Sequence, residues 1–240
     1  MSHVDLSFLE PLRYVEENVL GTATLIEACK NYGKLDRFIH ISTDEVFGPS
    51  HHDEDHKTEE SIMCPTNPYS ASKGGAELMV RSYYYSYNFP AIVIRSNNIY
   101  GPRQLNEKVI PRFIMQLFQD KKLTLHGTGA TLRSFLYTED FNRALVAILE
   151  RGQVGDIINI GSDREISIRE LATMLVNLLK PGESVEDWIE YTVNRPFNDQ
   201  RYLVDCGKLR ELGWRQQVEF EEGLWRTIEW YREHQQQYRS

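Results

Sequence analysis

A chain of 240 residues, 41% hydrophobic and 26% charged, is long enough to bury a substantial core as one domain or two lobes. Its formal net charge of -8 excludes a nucleic-acid or anionic-membrane surface role, because neutralising phosphates takes a basic face, although a small basic pocket for a diphosphate remains compatible. Three scattered cysteines (Cys29, Cys64, Cys206) fit a reducing, cytoplasmic compartment, and no apolar run approaches the roughly 18 residues a membrane span needs.

In chain order, the first expected element is a long helix from about Glu10 to Tyr32, opened by Pro11. Val15, Val19, Thr22, Ile26 and Cys29 recur in steps of four and three and define one stripe. Arg37 to Ile41 reads as a buried strand, and the polar, acidic stretch from Gly48 to Pro68 as a loop. A second long helix is expected from Tyr69 to about Tyr87, then a buried strand over Ala91 to Ile94. This alternation predicts a parallel α/β sheet with crossover helices. Beyond Tyr100 the pieces look shorter and more polar. The exceptions are a helix opened by a capping box at Ser167 to Glu170 and a final helix from roughly Phe220 to Gln236. The patch His51, His52, Asp53, Glu54, Asp55, His56 lacks an apolar framework to fix ligand geometry, so it reads as a solvated loop and no metal site is expected.

Chemistry concentrates at three places. Tyr69 and Lys73 are four apart at a helix start, so phenol and ammonium share one face. A nearby cation favours phenolate and is expected to lower the tyrosine pKa toward neutral. Such a pair is common on surfaces and carries little alone. Ser42, Thr43, Asp44 and Glu45 directly follow the first strand, where open α/β sheets bind ligands. By itself that segment reads as a capped turn; with the Tyr/Lys helix behind it, it reads as a site. Arg95 to Pro102 follows the next strand and places Asn97 and Asn98, whose amides both donate and accept.

The runs SHVDLSF (2–8), NVLGT (18–22), STDEVFG (42–48), NPYSASKGGAE (67–77), RSNNIYGPRQLNEKVIP (95–111), LHGTGATLRSFLYTED (125–140), NIGSDREISIREL (159–171) and NRPFNDQRY (194–202) together resemble the nucleotide-sugar 4,6-dehydratases, extended short-chain dehydrogenases, in order along nearly the whole chain. The Asp44–Glu45 pair separates that group from sibling epimerases. The last run looks closer to UDP-glucose enzymes of plants and fungi than to bacterial dTDP-glucose enzymes. Ile168, standing where the bacterial enzymes have an asparagine, points the same way.

The resemblance implies a partial Rossmann-type doubly wound parallel sheet, its first βαβαβ half missing, with a smaller mixed α/β C-terminal lobe. It divides the chain into residues 1–100, the remaining NAD-binding part with the catalytic residues, and 101–240, the nucleotide-sugar lobe, with about 134–160 returning to the first part. It implies NAD as cofactor, with Ser42, Tyr69, Lys73 and Asn98 beside it, and a nucleotide-sugar substrate. Tyr69 would take the 4-hydroxyl proton as hydride leaves C4, Lys73 would hold the tyrosine and the nicotinamide ribose, Thr43 would bond the C4 oxygen, Glu45 would remove the C5 hydrogen and Asp44 would protonate the departing 6-hydroxyl. Two neighbouring carboxyls in opposite roles need their pKa values pushed apart. Asn97, Lys108, Val109, Thr124, Leu125, His126, Arg133, Asn194, Arg195 and Asn198 would line the substrate. Arginine forks at 133 and 195 suit a diphosphate. A homodimer through the two long helices is implied as well.

Family members open with a strand, a glycine-rich turn and a helix that cradle the pyrophosphate. Nothing of that kind precedes SHVDLSF, and the near match Gly127 to Leu132 lacks the third glycine. The expected omission is on the order of 80 residues. The activity reading is therefore dehydration of UDP-glucose, or dTDP-glucose as runner-up, against a non-catalytic fragment with weakened NAD binding.

Overall fold

The structure, a computed structural model, describes residues 1–52, 55–193 and 199–238. Its elements run α1 (Val4–Leu9), α2 (Pro11–Tyr14), a π-helical turn (Val15–Leu20), α3 (Gly21–Tyr32), β1 (Phe38–Ile41), a 3-10 turn (Asp44–Phe47), α4 (Pro68–Tyr87) and β2 (Ala91–Ser96). There follow β3 (Asn98–Tyr100), α5 (Val109–Phe118), β4 (Leu123–His126), β5 (Leu132–Tyr137), α6 (Thr138–Arg151) and β6 (Ile157–Ile160). The last are β7 (Glu165–Ser167), α7 (Ile168–Leu179), β8 (Ile189–Thr192), α8 (Gly207–Glu211) and α9 (Phe220–Glu233). The chain forms two compact units: Met1–Asn97 with Phe141–Gly161 and Tyr202–Arg215, and Asn98–Asp140 with Ser162–Arg201 and Gln216–Ser240.

In the first unit, β1, β2 and β6 form a parallel sheet in that order, a Rossmann-type βαβ arrangement with α4 as the crossover between β1 and β2. Every residue of the central strand β2 is buried, as expected of a strand covered on both faces. Ile26 of α3, Val80 of α4, Phe89, Ala91 and Val93 form the core on one side. The strand runs two residues past the apolar run because Arg95, 1% exposed, is paired internally and does not need solvent.

The expected stripe on the first long helix needs correction. It assumed one α-helical period from Glu10 to Tyr32, but the π turn at Val15–Leu20 inserts extra residues per turn and rotates what precedes it. Val15 is 51% exposed, while Tyr14 and Asn18 take the buried positions; Ile26 keeps its place. The expectation of shorter, more polar pieces between Tyr100 and the Ser167 helix also fails. In α6, fourteen residues long, Ala144, Ala147 and Ile148 are buried at helical spacing, while Glu139 and Glu150 face out together with Val146 and Leu149. At Ser167 one half of the capping box forms, the Glu170 amide donating to the Ser167 hydroxyl at 3.0 Å.

The second unit is mixed. β5 pairs parallel with β3 and antiparallel with β7, and β4 pairs parallel with β8. Its core gathers Phe113, Ile114 and Leu117 of α5, Leu171 and Leu175 of α7, Leu224 and Ile228 of α9, and the rings of Tyr100, Phe135 and Phe220.

Candidate active site

Chain direction brings the carboxyl ends of β1, β2 and β6 together, and the ladder continues one residue beyond β1 and β2. The Ser42 amide bonds Ile94 O at 2.6 Å and the Asn97 amide bonds Ile160 O at 2.9 Å. At the next position only glycine fits: a Cβ on Gly161 would stand 2.0 Å from Asn97 Oδ1. Thr43 then leaves the strand, caps the 3-10 turn by accepting from the Glu45 amide, and donates to Asp44 Oδ1 at 3.1 Å. Gly48 closes the turn with φ +73°, where a Cβ would strike Cys64 O at 2.4 Å.

Asp44 is 4% exposed, and its other oxygen accepts from Asn97 Nδ2 at 2.6 Å. Glu45 is half-buried and accepts from Asn67 Nδ2 at 3.1 Å. Asn67 does double duty, since its Oδ1 caps α4 from the Ser70 amide at 2.8 Å in a capping box, with Pro68 at the first helical position. One residue later comes Tyr69, half-buried, its phenol hydrogen-bonded with Thr43. Thus Thr43, Asp44, Glu45 and Tyr69 meet, with Asn97 and Asn67 as their supports.

The electrostatics depart from expectation at the phenol. Burial pushes the Tyr69 phenol above its ordinary value, and the Glu45 carboxylate adds to the rise. The lysine does not offset this. The Lys73 ammonium donates to Ile41 O at 2.6 Å, and burial lowers its pKa, with Glu77 acting in the other direction. His40, 7% exposed, is held at about 4 by burial, with Lys73 contributing.

Several supports escaped the sequence reading. Tyr14 packs edge-on against Tyr69 at 6.4 Å between centroids, and Asn18 Nδ2 donates to Ser72 Oγ of α4 at 2.9 Å. Both depend on the π turn, which no apolar period signals. Glu77 and Arg95 form a buried two-point ion pair.

In the second unit, Thr124 and His126 alternate with buried Leu123 and Leu125 along β4. Leu125 therefore turns its side chain into the core and shares no face with the other two. Thr124 donates to Glu190 at 2.7 Å and His126 meets Val193 O at 3.3 Å. Lys108 is the residue before α5 and Val109 its first. Arg133 donates to Leu132 O at 2.7 Å and Asp199 O at 3.0 Å, and Asn98 is half-buried at the start of β3. Asn194, Arg195 and Asn198 lie outside the described residues.

A family profile described as GDP-mannose 4,6 dehydratase matches residues 1–227. The chain belongs to this nucleotide-sugar 4,6-dehydratase family. Among its dehydratase relatives, a trifunctional UDP-glucose 4,6-dehydratase/UDP-4-keto-6-deoxy-D-glucose 3,5-epimerase/UDP-4-keto-L-rhamnose-reductase of Arabidopsis thaliana is 46% identical over 97% of this chain and 35% of the relative. The dTDP-D-glucose 4,6-dehydratase of Bos taurus is 44% identical, again over 97% of this chain and 65% of the relative. The crystal structure of a dTDP-glucose 4,6-dehydratase from Streptomyces venezuelae with NAD bound superposes with a TM-score of 0.94 at 38% identity, over 99% of this chain and 72% of that one. The chain thus spans about a third of its plant dehydratase relatives and just under two thirds of the bovine one.

Proposed function

We propose that this chain carries the catalytic residues of an NAD-dependent 4,6-dehydratase acting on UDP-glucose. The observation that carries the reading is one cluster holding two adjacent carboxyls in different settings beside a phenol. Asp44 is buried and hydrogen-bonded at both oxygens, Glu45 is half-buried and accepts from Asn67, and the Thr43 hydroxyl links Asp44 to Tyr69. Carboxyls in unlike surroundings suit opposite proton roles.

A polar ligand fits these strand ends. Ser42 Oγ and Asn97 Oδ1 are buried there and have no hydrogen-bond partner among the described residues. Unsatisfied buried polar atoms call for one. We assign Ser42, Tyr69, Lys73 and Asn98 to NAD, which when bound supplies a hydride acceptor for C4 that gives the hydride back to C6. Tyr69, once ionised against the opposing effect of burial, would take the 4-hydroxyl proton, and Thr43 would steady the C4 oxygen. Glu45 would take the C5 proton and give one back to C5 as hydride reaches C6, and Asp44 would give its proton to the 6-hydroxyl, which leaves as water. The nucleotide-sugar pocket we assign to Asn97, Lys108, Val109, Arg133 and the 194–198 stretch, with Thr124 and His126 along the nucleotide and Leu125 contributing backbone only.

The Glu45→Gln variant tests the central role. It should lose water elimination while keeping nucleotide-sugar binding, and unchanged turnover would overturn the assignment. A second reading, dTDP-glucose as donor, is favoured by the Streptomyces structure and the bovine relative, and parallel assays with the two donors decide between them. We further propose a homodimer through the two long helices, which expose Leu12 (83%), Leu20 (59%), Leu78 (53%) and Tyr85 (71%). Scattered cysteines fit a cytoplasmic setting for it.

A further inference from the structure

Arg95 stands in a strand where a charge has no access to water, so its surroundings must account for it. Its Nη2 donates to Glu77 Oε1 at 2.6 Å and its Nε to Glu77 Oε2 at 3.1 Å, the planar two-point match of guanidinium and carboxylate. Arg95 is 1% exposed and Glu77 0%. The third guanidinium nitrogen donates to Glu59 O at 3.1 Å, and the group lies over the Phe47 ring at 4.6 Å. One guanidinium therefore touches α4, the loop at Glu59 and the 3-10 turn that begins with Asp44 and Glu45. The loop is itself fixed: Glu59 Oε1 accepts from the Asn159 amide at 2.9 Å, and Asn159 Nδ2 donates to Lys57 O at 3.0 Å.

On α4, Tyr69, Lys73 and Glu77 follow at steps of four and share one face. Glu77 is thus the carboxylate one turn beyond the lysine, and it draws on the Lys73 charge. Lys73, however, spends its hydrogen bond on Ile41 O, at the end of β1. We propose that Glu77 and Arg95 are positioning residues, the pair locking the Tyr69–Lys73 helix to the Asp44–Glu45 turn while Arg95 keeps the Glu77 carboxylate from claiming the Lys73 ammonium. Without Arg95, Glu77 would be a buried charge whose nearest cation on its own helix face is Lys73, and the ammonium would be drawn along α4, away from Ile41. Without Glu77, Arg95 would be the uncompensated charge behind the lysine.

The inference rests on the reading of Tyr69 and Lys73 as a site, but its test needs no turnover. The Lys73 ammonium is titrated by NMR of isotope-labelled lysine side chains in the 240-residue protein, its signal assigned with Lys73→Arg. The groups facing it stay fixed over that range: His40 from β1 is neutral because burial holds it at about 4, and the Tyr69 phenol is pushed up and stays protonated. Arg95→Met should raise the Lys73 midpoint and Glu77→Gln should lower it, each by about one pH unit, the scale of a neighbouring charge being uncovered. The double variant should return close to the original value. Equal midpoints in all folded variants, even with lowered melting temperatures, would reduce the pair to a packing device and overturn the proposal. Should Arg95→Met fail to fold, the isosteric Glu77→Gln gives the sign alone. A failed titration and a failed activity assay are separate results.

Discussion

Glu45 and Asp44 are neighbours in sequence with different burial and different amide partners. Asn97 reaches Asp44 across the strand ends, and Asn67 reaches Glu45 from the helix cap. A residue-scale prediction comes from His40, whose ordinary value of 6.5 falls to about 4 in the fold. Above pH 6.5 both folded and unfolded chains carry it neutral, and its contribution to stability is complete. Below that the unfolded chain takes the proton first, so stability is lost as pH falls toward 4, by on the order of 3 kcal/mol from this group. Melting curves of the original protein and His40→Gln should converge toward pH 4 and separate above 6.5; parallel curves across the window would contradict the burial argument. The position of Tyr69 and Lys73 on one helix face was legible because spacing of four is a local property. The phenol's raised pKa was not, since it depends on burial and on Glu45, 24 residues earlier by the numbering.

At the scale of elements, α4 is positioned by its first turn. Asn67→Ala removes both the cap and the partner of Glu45. Thermal melting should report a loss of about 1 kcal/mol, the usual cost of such a cap, and assays should show turnover falling well beyond what that loss explains. Activity retained at the lower stability would mean that Glu45 does not need Asn67. Gly161 offers a second check. Alanine there would drive a methyl into Asn97 Oδ1, so Gly161→Ala should cost about 1 to 3 kcal/mol and loosen the Asn97 hold on Asp44. Strands β1 and β2 could be read from apolar runs, and α4 from its opening residues. The π turn could not, because no residue type encodes it and its signature is a stripe that slips. Its consequences, Tyr14 against Tyr69 and Asn18 on Ser72, join residues 54 or more apart and so leave no local trace. Arg95 ended the second strand too early in the sequence reading for the same reason, since its carboxylate lies 18 residues back on a helix.

For the whole molecule, the parallel sheet of the first unit followed from alternating apolar and amphipathic segments. The second unit was less legible, because β3 and β7 are only three residues long and carry too short an apolar pattern to be read locally. Leu78 and Tyr85 on one exposed face of α4 predict self-association, and Leu78→Glu should shift the solution mass from dimer to monomer without unfolding the chain. A monomer in the unmodified protein would remove that proposal. The most direct test of the central claim is incubation with NAD and UDP-glucose or dTDP-glucose in heavy water, followed by mass spectrometry of the sugar. Loss of one water with one deuterium gained at C5, abolished in Glu45→Gln, is the predicted result. Inversion at C4 without loss of water would contradict the account.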